Sequence, residues 1–169
     1  MEIKRNPFLV FIILLMFLSL FGSSSKEPGR YYDKGFSIKF PEGWEKIESN
    51  VSRPGLVVNM KDPEDVAMIA IFLAEYKQEV IYEEYIKEHL LRLKSLGIDV
   101  NEEEATTIDG SKAYRVIFSS ETPYPNTTLS YTIIKENKVY GVGCTVHDPN
   151  LFSSYKDTFQ EIVSSFRFE

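Results

Sequence analysis

The chain has 169 residues, of which 19 are Lys or Arg and 25 are Asp or Glu, so its formal net charge at pH 7 is −6. This acidic balance argues against sequence-independent binding to nucleic acid or to an anionic lipid surface, because both need basic side chains to neutralise phosphates. The length fits one domain of ordinary size, and a single cysteine excludes a fold held together by internal disulfides.

The N-terminus has the pattern of a secretory signal. Two basic residues precede an apolar run at residues 8–21, and a glycine and three serines follow it. The run is shorter than the roughly 20 residues that cross a bilayer as a helix, so cleavage near Ser24 or Ser25 is favoured over a permanent anchor. Both outcomes place the remaining chain outside the cytoplasm, since the basic N-terminus stays on the cytoplasmic side.

These features divide the chain into three parts. Residues 1–25 are predicted to be a signal peptide or an N-terminal membrane anchor, residues 26–30 a short tether, and residues 31–169 one domain. The expected location is extracytoplasmic, either secreted or anchored to the membrane by the N-terminal segment. We expect a monomer whose partner is another envelope or membrane protein, with contact to the membrane only through that segment if it is uncleaved.

The first half of the domain has the alternation of strands. Phe36, Ile38 and Phe40 alternate with polar residues, and a Pro-Glu-Gly turn follows before Trp44, the only tryptophan, enters the core. The predicted strands are residues 35–40, 44–47, 55–59 and 66–74. The last of these is apolar almost throughout, which predicts a central strand with both faces covered and helices on at least one side of the sheet.

Residues 79–96 have the period of an amphipathic helix. Tyr82, Ile86, His89 and Leu93 fall on one face, with charged residues opposite, and Gly97 ends the helix as a C-cap glycine does. We expect His89 to be a neutral histidine packed on the apolar face, with a ligand or pH-sensing role as the alternative.

The second half predicts four consecutive strands in an antiparallel meander. Asp109 and Gly110 are a hairpin turn signal between the first two strands, and a second hairpin turns at Glu136 and Asn137. The predicted strands are residues 105–108, 113–119, 129–134 and 139–146, with the polar residues 102–104 leading into the first. Cys144 lies in the last strand and is interpreted as a small buried residue.

A second amphipathic helix closes the domain. Asp148 and Pro149 open it with an aspartate cap and a proline in the first turn. Its apolar stripe, at spacings of three and four, comprises Phe152, Tyr155, Phe159, Ile162 and Phe166. An antiparallel sheet packed between helices is the natural assembly of these elements.

In this order and spacing, the chain resembles the PsbP family. The segments that carry the resemblance are YDKGFSIKFPEGW at 32–44, IDGSKAY at 108–114, and the closing helix with SSF at 164–166. The resemblance implies an α+β fold in which an antiparallel sheet of about six to seven strands is sandwiched between α-helices. This α/β/α sandwich is shared with DcrB-like envelope proteins and a Ran-binding nuclear import factor. The resemblance also implies action by binding and assembly, without catalysis.

A few side chains are candidates for chemistry. His147 and Asp148 form a histidine–carboxylate neighbour pair at the junction of a predicted strand and helix, which leaves open an envelope hydrolase as an alternative function, although no nucleophile motif accompanies them. A calcium- or transition-metal-binding domain is a second alternative, with His147, Asp148, Asp62 and Asp65 as candidate ligands.

The loop before residue 126 is a candidate for binding a partner. Tyr124 is an aromatic residue between two prolines, and Tyr124 and Pro125 are the residues we would expect to contact a protein. The sequence is therefore interpreted as a non-catalytic extracytoplasmic binding or assembly module at or near the outer face of the membrane. It is expected to have no catalytic residues and no cofactor.

Overall fold

The computed structural model describes residues 27–48, 53–121 and 125–169. The segment predicted as signal or anchor, and the partner-binding candidate Tyr124, lie outside these residues. The elements in chain order are β1 (Arg30–Asp33), β2 (Phe36–Lys39), β3 (Glu45–Lys46), β4 (Leu56–Lys61), β5 (Ala67–Glu75), α1 (Tyr82–Ser95), β6 (Asp99–Ile108), β7 (Ser111–Ser120), β8 (Asn126–Lys135), β9 (Lys138–Val146), a 3₁₀ turn (Pro149–Leu151), α2 (Phe152–Ser164) and β10 (Arg167–Phe168). Neither described helix combines the length and apolar character that crossing a membrane requires.

The main sheet has seven antiparallel strands in the order β3-β4-β5-β9-β8-β7-β6. The predicted meander is confirmed, since β6 to β9 pair with their chain neighbours in turn. Asp109 and Gly110 have φ values of 47° and 75°, the left-handed conformation of a tight hairpin turn. The acidic residues Glu102, Glu103 and Glu104 lie inside β6, so this strand begins earlier than the sequence predicted.

A second sheet of three strands was not predicted. It has the order β1-β2-β10, with both neighbours antiparallel to β2. The guanidinium of Arg30 donates to the backbone oxygen of Ser165 at 2.8 Å, and the hydroxyl of Ser165 accepts the amide of Lys39 at 2.8 Å. These contacts tie the start of the domain to its end.

The hydrophobic core lies on one face of the main sheet. The small sheet and α2 cover this face, and the aromatic rings of Phe36 and Phe166 stack at 5.1 Å with an angle of 5°. The predicted buried Cys144 is in this core and fully buried. Trp44 is half-buried and packs against the edge of the core, as part of the same cluster.

The helix α1 packs on the opposite face of the main sheet. Ile86 contacts Ile134 and Val139 there, and the Tyr82 hydroxyl donates to the backbone oxygen of Ala113 at 2.9 Å. The helix ends at Gly97 (φ 70°), because the amides of Gly97 and Ile98 bond back to Lys94 and Leu93. The predicted α+β sandwich, with helices on both faces of an antiparallel sheet, is confirmed.

Candidate functional site

The outer face of β5 is open. The side chains of β5 that face the core are buried: Ala67, Ile69 and Ile71. On the other face Met68 and Ala70 are only half-buried, and Phe72 is 37% exposed. The prediction that both faces of this strand are covered is therefore wrong, because an apolar run cannot distinguish a covered outer face from an uncovered one.

A groove of about 810 Å³ lies over this uncovered part of the sheet. Its floor comprises Met68, Ala70 and Phe72 of β5, Thr128, Ser130 and Thr132 of β8, and Gly141, Gly143 and Thr145 of β9. Its sides include Tyr85 and His89 of α1, Phe118 of β7 and Arg53 to Gly55. We call this region the sheet-face groove. Its volume is within the usual range of ligand sites in proteins, about 300–1,000 Å³.

The strand register explains why small side chains lie together on the floor of the groove. Aligned neighbours across β5, β9 and β8 form two rows: Ala70, Gly143 and Ser130, then Phe72, Gly141 and Thr132. In the first row no side chain is larger than a serine. Asn59 of β4 is aligned with Ala70 at the end of that row. Among the described residues, its Oδ1 is the one buried side-chain nitrogen or oxygen atom without a hydrogen-bond partner.

The two glycines of the floor are not required by the backbone. Gly141 and Gly143 do not have positive φ angles. A Cβ added at Gly141 would lie 3.8 Å from the Cβ of Phe72, and one at Gly143 would lie 4.0 Å from the backbone oxygen of Ala70. Both are ordinary or loose contacts. Glycine weakens a strand interior and often marks the close approach of a ligand or another chain, so these glycines are the strongest local sign of a binding site.

The rings of Tyr76, Tyr85 and His89 contact one another in turn and line the helix side of the groove. The ring of Tyr85 stands edge-on to Tyr76 at 6.2 Å and is nearly parallel to the imidazole of His89 at 6.4 Å. Burial, together with neighbouring Tyr76, raises the pKa of Tyr85 to about 12. Burial, and secondarily the charge of Arg92, lowers the pKa of His89 below its ordinary value. Both side chains are therefore neutral at pH 7.

The groove is nearly free of charge. Among the described residues that line it, two are charged, Arg53 and Glu75, both exposed, and Glu75 is paired with Lys138 at 3.5 Å. The floor adds hydroxyl groups, with Thr128 and Thr145 hydrogen-bonded to each other at 2.9 Å. Such a surface can bury an uncharged, largely apolar group and offer it a few hydrogen bonds.

The predicted metal candidates lie around the turn between β4 and β5. The carboxylate of Asp62 is 3% exposed; it accepts the amides of Val66 and Ala67 at 2.8 Å and the Tyr155 hydroxyl at 2.6 Å. Asp65 is exposed and lies 3.5 Å from the ammonium of Lys61. These bonds give Asp62 a structural role that joins the turn to α2.

The second pair of candidates adjoins this turn. The amide of His147 bonds to the backbone oxygen of Val66, and Asp148 caps the 3₁₀ turn by accepting the amide of Asn150 at 2.9 Å. Within the described ranges, the His147 imidazole makes no hydrogen bond, and no three His, Cys, Asp or Glu side chains are placed to hold a metal. Pro125, the described half of the partner-binding candidate, is exposed.

Sequence reasoning missed the groove, although a signal was present. Gly141 and Gly143 interrupt an otherwise apolar predicted strand at alternate positions, and they therefore share one face of it. An isolated glycine in a strand indicates a bulge or a close approach. Two on the same face of a central strand indicate a flat patch of sheet.

Comparison with known proteins identifies the fold. No family model matches the chain, and no curated protein matches it in sequence. It is similar to the solved structure of cyanobacterial PsbP (CyanoP) from Synechocystis, with a TM-score of 0.64 and 16% identity over 89% of this chain and 99% of that one. LpqN of Mycobacterium tuberculosis gives 0.62 and 17%, over 85% and 86%. The Ran-binding protein Mog1p of Saccharomyces cerevisiae gives 0.56 and 11%, over 79% and 90%. The resemblance predicted from the sequence is confirmed at the level of the fold: the chain has the PsbP-like α/β/α sandwich.

Proposed function

We propose that this chain is a non-catalytic binding module that holds another envelope or membrane protein in the sheet-face groove, outside the cytoplasm. The observation that carries the proposal is the floor of the groove. Gly141 and Gly143 leave the middle of a central strand without side chains on one face, where the backbone would accept a Cβ at either position. Glycine at these positions makes the strand less stable. A partner that docks against this face would explain why glycine is present there.

The chemistry of the groove supports binding over catalysis. General acid–base or nucleophilic catalysis needs a side chain that can exchange a proton or attack near neutral pH. Burial raises the pKa of Tyr85 to about 12, so its hydroxyl stays protonated at pH 7, and burial lowers the pKa of His89, so its imidazole is uncharged there. Cys144 faces the core, and burial raises the pKa of its thiol. Of the floor hydroxyls, those of Thr128 and Thr145 are hydrogen-bonded to each other at 2.9 Å.

Two further observations support the location and the kind of partner. The pattern of residues 1–25 is typical of export. Among the proteins of similar fold, LpqN is described as involved in cell envelope biogenesis and Mog1p as Ran-binding, which supports an envelope setting in the first case and a binding role in the second.

The experiment is to fill the groove without harming the fold. Gly143→Val places a branched side chain on the floor, and valine favours a strand over glycine by about 0.5–1 kcal/mol. We expect the melting temperature of the full chain to stay the same or rise. The amount of partner protein that copurifies with Gly143→Val from envelope fractions of the source cells should be at least tenfold lower than with the wild type. The control is Ala105→Val, which adds similar bulk at an exposed position of β6.

Two results would count against the proposal. The first is copurification that is unchanged in Gly143→Val, because the partner would then dock elsewhere. The second is an equal loss in Gly143→Val and Ala105→Val, because the loss would then not be specific to the groove.

A further inference from the structure

We propose that the sheet-face groove receives a single α-helix of the partner protein, which lies beside α1 and docks through an uncharged, apolar face. This inference rests on the proposed binding function and specifies the element that is bound. The occupant is thus a helix about three turns long, supplied by a second protein, that completes the outer layer of the sandwich.

The existing helix covers only one side of the outer face. α1 contacts Tyr114 and the backbone oxygen of Ala113, both on β7, and Val116 of the same strand is 1% exposed. Val116 is aligned with Ser130 of the groove floor, so the two side chains share a face. α1 also packs on the adjoining ends of β8 and β9, where Ile86 contacts Ile134 and Val139. The groove lies beside this covered region, over residues 128–132 of β8, 141–145 of β9 and 68–72 of β5.

The dimensions of the open region match one helix. Neighbouring strands are about 4.8 Å apart, so β8 and β5, which flank β9, are roughly 10 Å apart. Packed helices have axes about 8–10 Å apart, and a helix with its side chains is about 10–12 Å wide. From Gly141 to Thr145 the strand rises about 14 Å, at 3.4 Å per residue. A helix covers that distance in about nine residues.

The surface chemistry limits the docking face of this helix. Ala70, Gly141 and Gly143 let its backbone come close to the sheet, and Phe72 and Tyr85 present apolar ring surface on either side. A charge on the docking face would lose its water without gaining a counter-ion, since the charged lining residues are both exposed at the rim. We therefore expect small and apolar residues at spacings of three and four, with charged residues only on the face turned to solvent.

The test uses photocrosslinking from opposite sides of the groove. Phe72→p-benzoylphenylalanine and Phe118→p-benzoylphenylalanine exchange groove aromatics for larger ones, and Glu161→p-benzoylphenylalanine, exposed on α2, is the control. Each full-length variant is irradiated in its source cells, and the adducts are mapped by mass spectrometry. We expect both groove sites to link to one segment of one protein, at residues three, four or seven apart.

A defined peptide then tests whether that segment is helical. It is synthesised and titrated into the full chain, followed by circular dichroism and fluorescence anisotropy. We expect helix content to rise on binding and the Kd to increase at least tenfold in Gly143→Val, with no change in Ala105→Val.

The outcomes separate this inference from the proposed function. If the segment binds without a rise in helix content, the proposed helical occupant is contradicted, but the proposal of a protein-binding groove stands. Adducts with the mass of an acyl chain, or with a second copy of this chain, overturn the helix and identify a different occupant. No adduct above that of the Glu161 control overturns both proposals.

Discussion

The Asp62–Tyr155 hydrogen bond gives a quantitative test of how the turn between β4 and β5 is joined to α2. The Tyr155 hydroxyl donates to Asp62 Oδ2 at 2.6 Å, while Asp62 Oδ1 accepts two backbone amides. Tyr155→Phe removes only that donor and keeps the ring, whose centroid lies 5.7 Å from that of Phe159. Hydrogen bonds to charged groups contribute about 1.5–3 kcal/mol. Since Tyr155 is half-exposed, we expect Tyr155→Phe to lower the free energy of unfolding by an amount near the lower limit, about 1.5 kcal/mol. This corresponds to roughly 5 °C in melting temperature.

The same bond predicts a pH dependence with a definite sign. Burial alone would raise the pKa of Asp62, but the hydrogen bonds from Tyr155 and from backbone amides outweigh it, so the pKa lies below the ordinary value of 3.8. A carboxyl group with a lowered pKa stabilises the native state fully above its unfolded pKa, and this contribution is lost as the pH falls through the folded pKa. The difference between the wild type and Tyr155→Phe should therefore be largest at neutral pH and shrink below about pH 4.

Urea unfolding followed by the fluorescence of Trp44, the only tryptophan, measures both effects. Tyr114→Phe is the matched control, because Tyr114 donates at 2.9 Å to Glu103 in an exposed hydrogen bond. Removing it should cost at most about 0.5 kcal/mol. The reasoning is refuted if Tyr155→Phe unfolds like the wild type at pH 7. It also fails if the destabilisation is the same at pH 3 as at pH 7.

Two further predictions concern backbone conformation and thiol reactivity. Gly55 and Gly35 both have φ of 78°, but an added Cβ at Gly55 would lie 2.9 Å from the backbone oxygen of Leu73, whereas Gly35 has nothing within 4 Å. Thermal melts should show a loss of about 1 kcal/mol for Gly35→Ala and at least twice that for Gly55→Ala; equal losses would contradict the close contact. Cys144 is fully buried, and burial raises its thiol pKa, so its reaction with a disulfide reagent should proceed at the rate of unfolding. A fast reaction with the native chain would show that the thiol is accessible.

The elements with a strong sequence period were predictable, and those stabilised by distant pairing were not. The period of α1 and the turn at Asp109 and Gly110 identified one helix and one hairpin with few boundary errors. By contrast, β10 has only two residues and exists because Arg167 and Phe168 pair with β2. Short strands of this kind carry no local signal, because their hydrogen-bond partners lie more than a hundred residues away.

The candidate site was less predictable than the fold for a related reason. Exposure of Phe72 depends on where α1 lies across the sheet, and the sequence of β5 contains no information about that position. The residues that do carry a signal are the glycines of β9, whose alternation assigns them to one face. The candidate ligands Asp62 and Asp148 illustrate the opposite case, since acidic residues beside turns are as suited to accepting backbone amides as to binding ions.

The two faces of the strand β9 differ in how they are packed. Its core face carries Tyr140, Val142 and Cys144, all nearly or completely buried, while the intervening positions that face the groove include Gly141 and Gly143. Because alternate residues point to opposite faces, the core can supply the packing energy of the strand while the other face stays bare. Filling the bare face should therefore strengthen the fold and weaken binding at once. A stabilising Gly143→Val with lost partner binding would show that the two faces are under opposite constraints.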